Sequence, residues 1–355
     1  MAVVSGAEPL AAMLDTLTAP GELCEPLGDS RVRCTACGHR CLILDGYRGV
    51  CKVRFNAGGT LRVPYGYVGA LQCDPTEKKP FFHVVPGSRA LTFGMLGCDF
   101  HCPYCQNWVT SQTLRDPNAQ IHPQLWSAEG LVRAASELDA ALVVSSYNEP
   151  LITAEWAHAV FRLARRAGLR CAFVSNGNAT RAVLEFMRPL TDAYKIDLKS
   201  MRAPNYQRLG GKLTHVLDAI QMVHDLGFWL EIVTLLVPGW NTSDAELSEA
   251  ARFIAGVSPD IPWHVTAFHK DYRMTEPDNA TSALLIHAAQ IGEGAGLRYV
   301  YAGNLPGDVG PYEDTRCPAC HTTTVRRSGY RILSNRMSAD GRCPECQTAI
   351  PGIWM

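Results

Sequence analysis

No stretch of this sequence approaches the ~20 consecutive apolar residues that a membrane-spanning helix needs. The longest contender, 228–240, is interrupted by Glu231, Pro238 and Gly239. An excess of charge is missing too: 33 Lys and Arg stand against 34 Asp and Glu, a formal net charge of −1. No global basic field therefore draws the chain onto a polyanion, and nucleic acid is not an expected partner. The opening residues lack a cationic stretch and carry Glu8 and Asp15. That pattern argues against a secretory signal and sets the expectation of a cytoplasmic protein with no membrane contact. No segment repeats at a fixed period. Charged residues are only 19% of the chain and hydrophobic ones 47%, which excludes disorder and allows a large core. With 355 residues, the chain has room for one barrel-sized domain with appendages, or for two to three domains.

What the sequence does have is cysteine, 14 in all. In a reducing compartment, clustered cysteines bind metal or do redox work more often than they form disulfides. They fall into three groups: Cys34, Cys37, Cys41 and Cys51; then Cys98, Cys102 and Cys105; then Cys317, Cys320, Cys343 and Cys346. Cys24, Cys73 and Cys171 stand apart. Four thiolates can close around a metal, whereas three leave a coordination position for another molecule.

Between about residue 90 and residue 303, apolar β-branched runs alternate with amphipathic stretches. The runs predict strands over 90–97, 141–147, 170–175, 193–198, 229–237, 262–268 and 297–302. Helices are predicted between them over 127–138, 153–167, 180–189, 212–226, 243–256 and 281–294. Thr153 and Thr180 sit where helices should be capped, Ser243 and Glu246 read as a capping box, and Gly168 and Gly227 mark helix ends. Strands that are apolar throughout suit a parallel sheet covered by helices. The predicted fold is α/β, a partial or complete (β/α) barrel with small Cys-rich metal-binding segments at both ends; a doubly wound open sheet is the alternative. The expected organisation is an N-terminal extension over 1–33, a Cys-rich segment and connector over 34–85, the barrel over 86–306, and a ribbon-like segment over 311–355. Neither end segment has the apolar content for a sizeable core, so each is expected to need a metal as a staple.

The first predicted strand runs into Cys98-Asp-Phe-His-Cys102-Pro-Tyr-Cys105. Pro103 keeps this loop from becoming a helix. Thiols so spaced can hold three corners of a [4Fe–4S] cluster and leave one iron free to chelate a small molecule. A zinc site completed by His101 is the competing assignment, but His101 is adjacent to Cys102 and badly placed to share its metal.

A C-x3-C-x2-C loop after the first barrel strand, with Tyr104 before its third Cys, resembles the signature of radical S-adenosylmethionine (SAM) enzymes. The resemblance implies that the open iron binds the amino and carboxylate groups of SAM. It further implies reductive cleavage to methionine and a 5′-deoxyadenosyl radical that abstracts hydrogen from a substrate. Ser145-Ser-Tyr-Asn148-Glu149-Pro150 is similar to the family's G-G-E-P segment, which holds the SAM ammonium, although both glycines are replaced. Ser175-Asn176-Gly177 resembles its T-N-G element near the ribose and methionine moieties. Asp197-Leu198-Lys199 is similar to the D-L-K of glycyl-radical-enzyme activases, whose charged residues contact SAM, and His269 matches a histidine near the adenine side. Aligned on Val237-Pro238-Gly239-Trp240, the activases' SAM-contacting Arg falls on Val233, with Glu231 and Thr234 the polar groups nearby.

Taken together, CTACGHRC…GVCKVRFN, DPTEKKPFFH, GCDFHCPYCQNW, SYNEP, KIDLKSM, EIVTLLVPGWN, PWHVTAFHKDY and RYVYAGN resemble the radical SAM protein of the AmmeMemoRadiSam system, related to pyruvate formate-lyase activating enzymes. That resemblance implies an oxidoreductase fed by a flavodoxin- or ferredoxin-type donor, a protein as one class of substrate, and Memo-like and AMMECR1-like proteins as partners. It names no reaction. Cys317-Pro-Ala-Cys320 and Cys343-Pro-Glu-Cys346 read as the two knuckles of a zinc ribbon. The N-terminal set, spaced x2, x3 and x9, fits structural zinc and an auxiliary cluster nearly equally, with zinc slightly preferred. Residues 317–355 carry five Arg against Asp340 and Glu345. This leaves an RNA-modifying radical SAM enzyme as an alternative, and a metal-organised scaffold without catalysis as another.

Overall fold

The computed structural model describes residues 10–354; Glu8 and its neighbours, part of the signal-peptide reading, lie outside them. Eight strands form the central sheet: β1 (Ala70–Pro75), β2 (Arg89–Gly94), β3 (Ala140–Ser145), β4 (Arg170–Ser175), β5 (Ala193–Asp197), β6 (Trp229–Leu236), β7 (Trp263–Ala267) and β8 (Val300–Gly303). They lie side by side in chain order from β8 back to β1. Every neighbouring pair from β2 to β8 is parallel, and β1 adds to β2 antiparallel. The two edge strands do not pair, so the barrel is a partial one. Seven helices of seven residues or more follow the connections: α1 (Ala128–Glu137), α2 (Ala154–Arg166), α3 (Arg181–Met187), α4 (Ala203–Leu209), α5 (Leu213–Asp225), α6 (Asp244–Val257) and α7 (Ser282–Gly294). Each predicted strand and helix forms within a few residues of its expected bounds; β1 and α4 were not anticipated.

The apolar strands are explained by burial on both faces. Leu91, Phe93, Val143, Phe173, Tyr194, Ile232, Trp263 and Val265 belong to the main core shared with the helices. Ala90, Leu142, Val144, Ala172 and Ala193 form a second, inner cluster with Phe81 and Val84. Those last two come from the connector, which runs under the barrel and closes its floor.

The floor is polar where the connector crosses it. Glu231, 0% exposed, accepts hydrogen bonds from the backbone N–H of Phe82 (3.0 Å) and His83 (2.9 Å) and from the Trp229 indole (3.0 Å), and lies 2.6 Å from His264 Nε2. Glu231, one of the polar groups near Val233, is thus engaged by the connector; it stands third in β6, level with Lys195 of β5. The Thr234 hydroxyl accepts from the buried Trp263 indole at 2.9 Å. The C-terminal segment is stitched to the same floor. Arg327 donates to Phe82 O at 2.8 Å, His83 Nδ1 lies 2.7 Å from Pro351 O, and Val84 bridges Ile353 in parallel.

Local signals were obeyed unevenly. Thr180 accepts from Val183 N–H and caps α3. Ser243 accepts from Glu246 N–H, but the Glu246 carboxylate does not return the bond. It accepts instead from Ser200 Oγ and from Met201 N–H (2.8 Å), tying the loop after β5 to α6. Thr153 does not cap α2; its hydroxyl donates to Pro150 O at 3.3 Å. Upstream, Cys24–Leu27 pairs antiparallel with Arg31–Cys34. This hairpin carries Cys34 at its end.

Candidate functional site

The loop after β2 is fixed mostly through its backbone, while Cys98 Sγ accepts from Phe100 N–H at 3.4 Å and Cys105 Sγ lies 3.2 Å from Ser111 Oγ. Met95 N–H donates to Asn148 Oδ1 (3.1 Å), Gly97 N–H to Thr110 O (3.0 Å) and His101 N–H to Leu209 O (2.9 Å). Arg115 donates to Cys98 O at 2.8 Å, and Gln112 to Phe100 O at 3.2 Å. Burial pushes all three thiols up: Cys98 with help from the Asp99 carboxylate, Cys102 to about 12, and Cys105 against a contact with Ser111 Oγ. Such thiols need a bound cation to become thiolates, as ligands of a metal cluster must. His101 is directed elsewhere. Its ring fills the space over Gly210, within 2.6 Å of where a Cβ there would stand. The loop therefore fits a cluster held by three thiolates better than a zinc ion completed by His101.

Asp197 and Lys199, at the end of β5, stand beside this loop. Lys199 Nζ lies 3.1 Å from Asp197, and Lys195 approaches the same carboxylate more closely. Burial alone would raise the Asp197 carboxyl, but Lys195 and then Lys199 hold it down to about 2. Both charged residues act on Cys102. Lys195, buried with them, was missed; its period-two spacing with Asp197 and Lys199 was the available signal. Val233 pairs with Asp197 across the strands, so the cations here come from β5 and its following turn rather than from β6. Trp240 of the Val237-Pro238-Gly239-Trp240 turn meets Tyr104 edge-on, with centroids 6.2 Å apart.

The turns after β3 and β4 are bound to each other. Glu149, 1% exposed, accepts from Ser175 Oγ (2.7 Å), Asn176 N–H (2.7 Å) and Leu151 N–H (3.2 Å). Its two oxygens are thus engaged by the chain itself, and Ser175 is turned toward it. Asn176 donates to Asp99 Oδ1 and Asn178 to Asp99 Oδ2, each at 2.8 Å. Burial, and then the Asp99 carboxylate, hold the Glu149 carboxyl well above its ordinary value. Asp99 and Asn178 were not singled out in the sequence, because only the folded chain brings them to Glu149's partners. Asn148 accepts from Met95, on the loop. His269 is exposed at the rim, its Nε2 2.9 Å from the side-chain nitrogen of Gln106, next to Cys105. The structure thus gathers Cys98, Cys102, Cys105, Asn148, Glu149, Ser175, Asn176, Asp197, Lys199 and His269 at the strands' C-terminal ends.

Cys317, Cys320, Cys343 and Cys346 have all their ligand atoms within 4.8 Å of one another, the one such group among the described residues. Cys317 and Cys346 sulfurs are 3.5 Å apart, and those of Cys320 and Cys343 3.6 Å. A tetrahedral ion with metal–sulfur bonds of ~2.3 Å needs thiolates ~3.8 Å apart, so a single ion fits. Hydrogen bonds from Thr348 bring the Cys346 thiol down to about 6. Cys317 and Cys343 pack with Phe82, Tyr299 and Tyr301 at the barrel floor. Removing the ion with a strong chelator is expected to lower the melting temperature by about 5 °C or more; unchanged melting of metal-free protein would show the fold independent of it. The basic face expected of this segment is largely neutralised. Arg327 is buried, Arg336 pairs with Glu345 and Arg342 with Asp340.

The sequence profile of the radical SAM superfamily matches residues 93–254. An uncharacterized protein of Methanocaldococcus jannaschii is 33% identical over 326 residues, covering 91% of this chain and 95% of its own. Among solved structures, Streptococcus suis SuiB bound to precursor peptide SuiA superposes with a TM-score of 0.50 at 11% identity, covering 68% of this chain and 54% of that one. A domain of pyruvate-formate lyase-activating enzyme from Bacteroides vulgatus aligns with a TM-score of 0.41 at 20% identity, over 46% of this chain and 98% of that domain. The likeness to SuiB is one of fold.

Proposed function

Because the chain belongs to the radical SAM superfamily, we propose that it cleaves SAM reductively and abstracts hydrogen from a substrate, as an activase-like oxidoreductase. The observation that carries this reading is the convergence of a three-thiol loop with the Lys195–Asp197–Lys199 charges at one end of a parallel sheet. Cys98, Cys102 and Cys105 would hold a [4Fe–4S] cluster, which when bound supplies the electron that splits the sulfonium into methionine and a 5′-deoxyadenosyl radical. Lys199 and Asp197 offer SAM a cation and an anion on one face. The Glu149–Asp99 pair, engaged with Ser175, Asn176 and Asn178, fixes the turns that surround it rather than offering free oxygens. Buried walls around these groups exclude water. His269 and Gln106 line the rim.

The activase resemblance makes a protein the favoured substrate class, and Memo-like and AMMECR1-like proteins the favoured partners. A flavodoxin- or ferredoxin-type donor would supply the electron. Leu42, Leu44, Tyr47 and Val50, all exposed on the Cys-rich segment, support docking of such a carrier there. Zinc is the ion assigned to the C-terminal ribbon. Little favours RNA as substrate, since Arg327 of the ribbon is buried and Arg336 and Arg342 are paired with carboxylates.

Anaerobically reconstituted protein, reduced with dithionite and given SAM, is expected to form 5′-deoxyadenosine and methionine in equal amounts. Protein that carries a full cluster yet forms neither would overturn the reading.

A further inference from the structure

Spacing alone left the N-terminal thiols open to one zinc ion or to a cluster. In the folded chain Cys34 N–H donates to Cys41 O at 2.9 Å, Arg40 N–H to Cys37 O at 3.0 Å, and Val50 N–H, next to Cys51, to Cys41 Sγ at 3.5 Å. Cys34, Cys37 and Cys51 are buried, each 5% exposed. These bonds bring the turn that carries Cys34, Cys37 and Cys41 against the segment that carries Cys51. Yet the four thiols do not close to the 4.8 Å spacing at which all four ribbon thiols meet. One zinc ion would draw its thiolates to ~3.8 Å apart, as in the ribbon. A cluster instead spreads its four thiolates over two or four irons, so that no more than two of them share one metal. Among the described residues the loop thiols Cys98, Cys102 and Cys105 do not meet that 4.8 Å spacing either. Within one molecule, the N-terminal set therefore resembles the cluster loop and differs from the ribbon.

A second observation concerns position. Arg115 spans the two sets, donating through Nη1 to Cys98 O at 2.8 Å and through Nη2 to Val50 O, next to Cys51. Gly97 has φ +90°, and a Cβ on it would stand 3.0 Å from Cys51 O, so the loop and the segment touch backbone to backbone. Asp99, beside the Cys98 thiol, also acts on Cys37. Gly38, directly after Cys37, donates to Asn178 O at 2.7 Å. A Cβ there would meet the Asn178 amide oxygen at 2.4 Å. A filled-shell zinc ion carries no electron, and this placement would serve it no better than any other. For a redox centre, placement against the loop is functional.

We propose that Cys34, Cys37, Cys41 and Cys51 hold an iron–sulfur cluster that accepts one electron from a low-potential carrier protein and passes it to the site at Cys98, Cys102 and Cys105. No bond is made or broken in the transfer: the carrier is oxidised by one electron, and the N-terminal cluster is reduced and then reoxidised. The electron's destination rests on the SAM-cleaving function proposed above; the cluster itself does not.

The test is metal and sulfide per chain in anaerobically reconstituted, desalted protein. Expected are one zinc and about six irons if the second cluster has two irons, or about eight if it has four. About four irons with two zincs would overturn the proposal. In a Cys98→Ala/Cys102→Ala/Cys105→Ala variant, two to four irons with a cluster Mössbauer signature should remain, and dithionite should generate an EPR signal from one added electron per chain. Wild type with four irons beyond which only zinc is found, yet forming 5′-deoxyadenosine, sinks the cluster and spares the function. Wild type with six or eight irons and no SAM cleavage does the reverse.

Discussion

Cys102→Ala, reconstituted anaerobically, is expected to form no 5′-deoxyadenosine above the rate of buffer with SAM and dithionite. The loss should exceed the roughly 100-fold that changes outside a metal's own ligands cost, because here a ligand itself is removed. Cys102 is the loop thiol nearest in effect to Lys199, and it is buried. The loop backbone is held by Arg115, Gln112 and Thr110, none of which touches the Cys102 thiol, so the variant should fold and keep its ribbon ion. Cys73→Ser, on edge strand β1 and outside all three thiol groups, is the control and should keep wild-type turnover. Retained product formation by the Cys102 variant would remove the loop from the chemistry.

The second large effect is on stability. Arg54, three residues after Cys51, is 1% exposed and Glu155 of α2 is 3% exposed. Arg54 donates to both carboxylate oxygens, at 2.8 and 2.7 Å, and to Ile152 O at 3.2 Å; Leu23 N–H donates to the same carboxylate at 3.2 Å. Glu155→Ala would leave a guanidinium buried without its anion, at a cost of about 3–5 kcal/mol. A urea midpoint lowered at unchanged m-value is the expected signature. The pH dependence has a definite sign. Burial would raise the Glu155 carboxyl, but Arg54 more than reverses this and leaves it below its ordinary value. The folded state therefore favours the charged form. The contribution is present above about pH 4.3, the unfolded value, and is lost as the pH falls through the lower folded one. That acid-sensitive limb should shrink in the variant. An unchanged midpoint would mean that the Cys-rich segment is anchored otherwise.

The parts of this molecule that were legible in the sequence are those whose cause is local. Cysteine spacing revealed the loop and the ribbon because ligands of one centre sit close along the chain. Strands buried on both faces announced themselves as apolar runs. Edge strand β1 did not, since its Gln72 is exposed and its Cys73 and Asp74 are half-buried, so that it reads as connector. Helix α4 is only 7 residues long and begins with Ala-Pro, too short for a periodic signal. Within the site, Asp99, Asn178 and Lys195 escaped notice because their importance lies in partners that are distant in sequence. Glu231 shows a different limit. Period two assigns a residue to a face of a strand but says nothing about what meets it there, and the backbone of Phe82 and His83 in the connector engages it.

The connector beneath the barrel, pinned by Arg327, Pro351 and Ile353, acts as a stopper with its own clamp. On the proposed function, a reactive species formed at the upper rim would have this connector beneath it, and the hydrogen donor would have to approach from the side of Gln106 and His269.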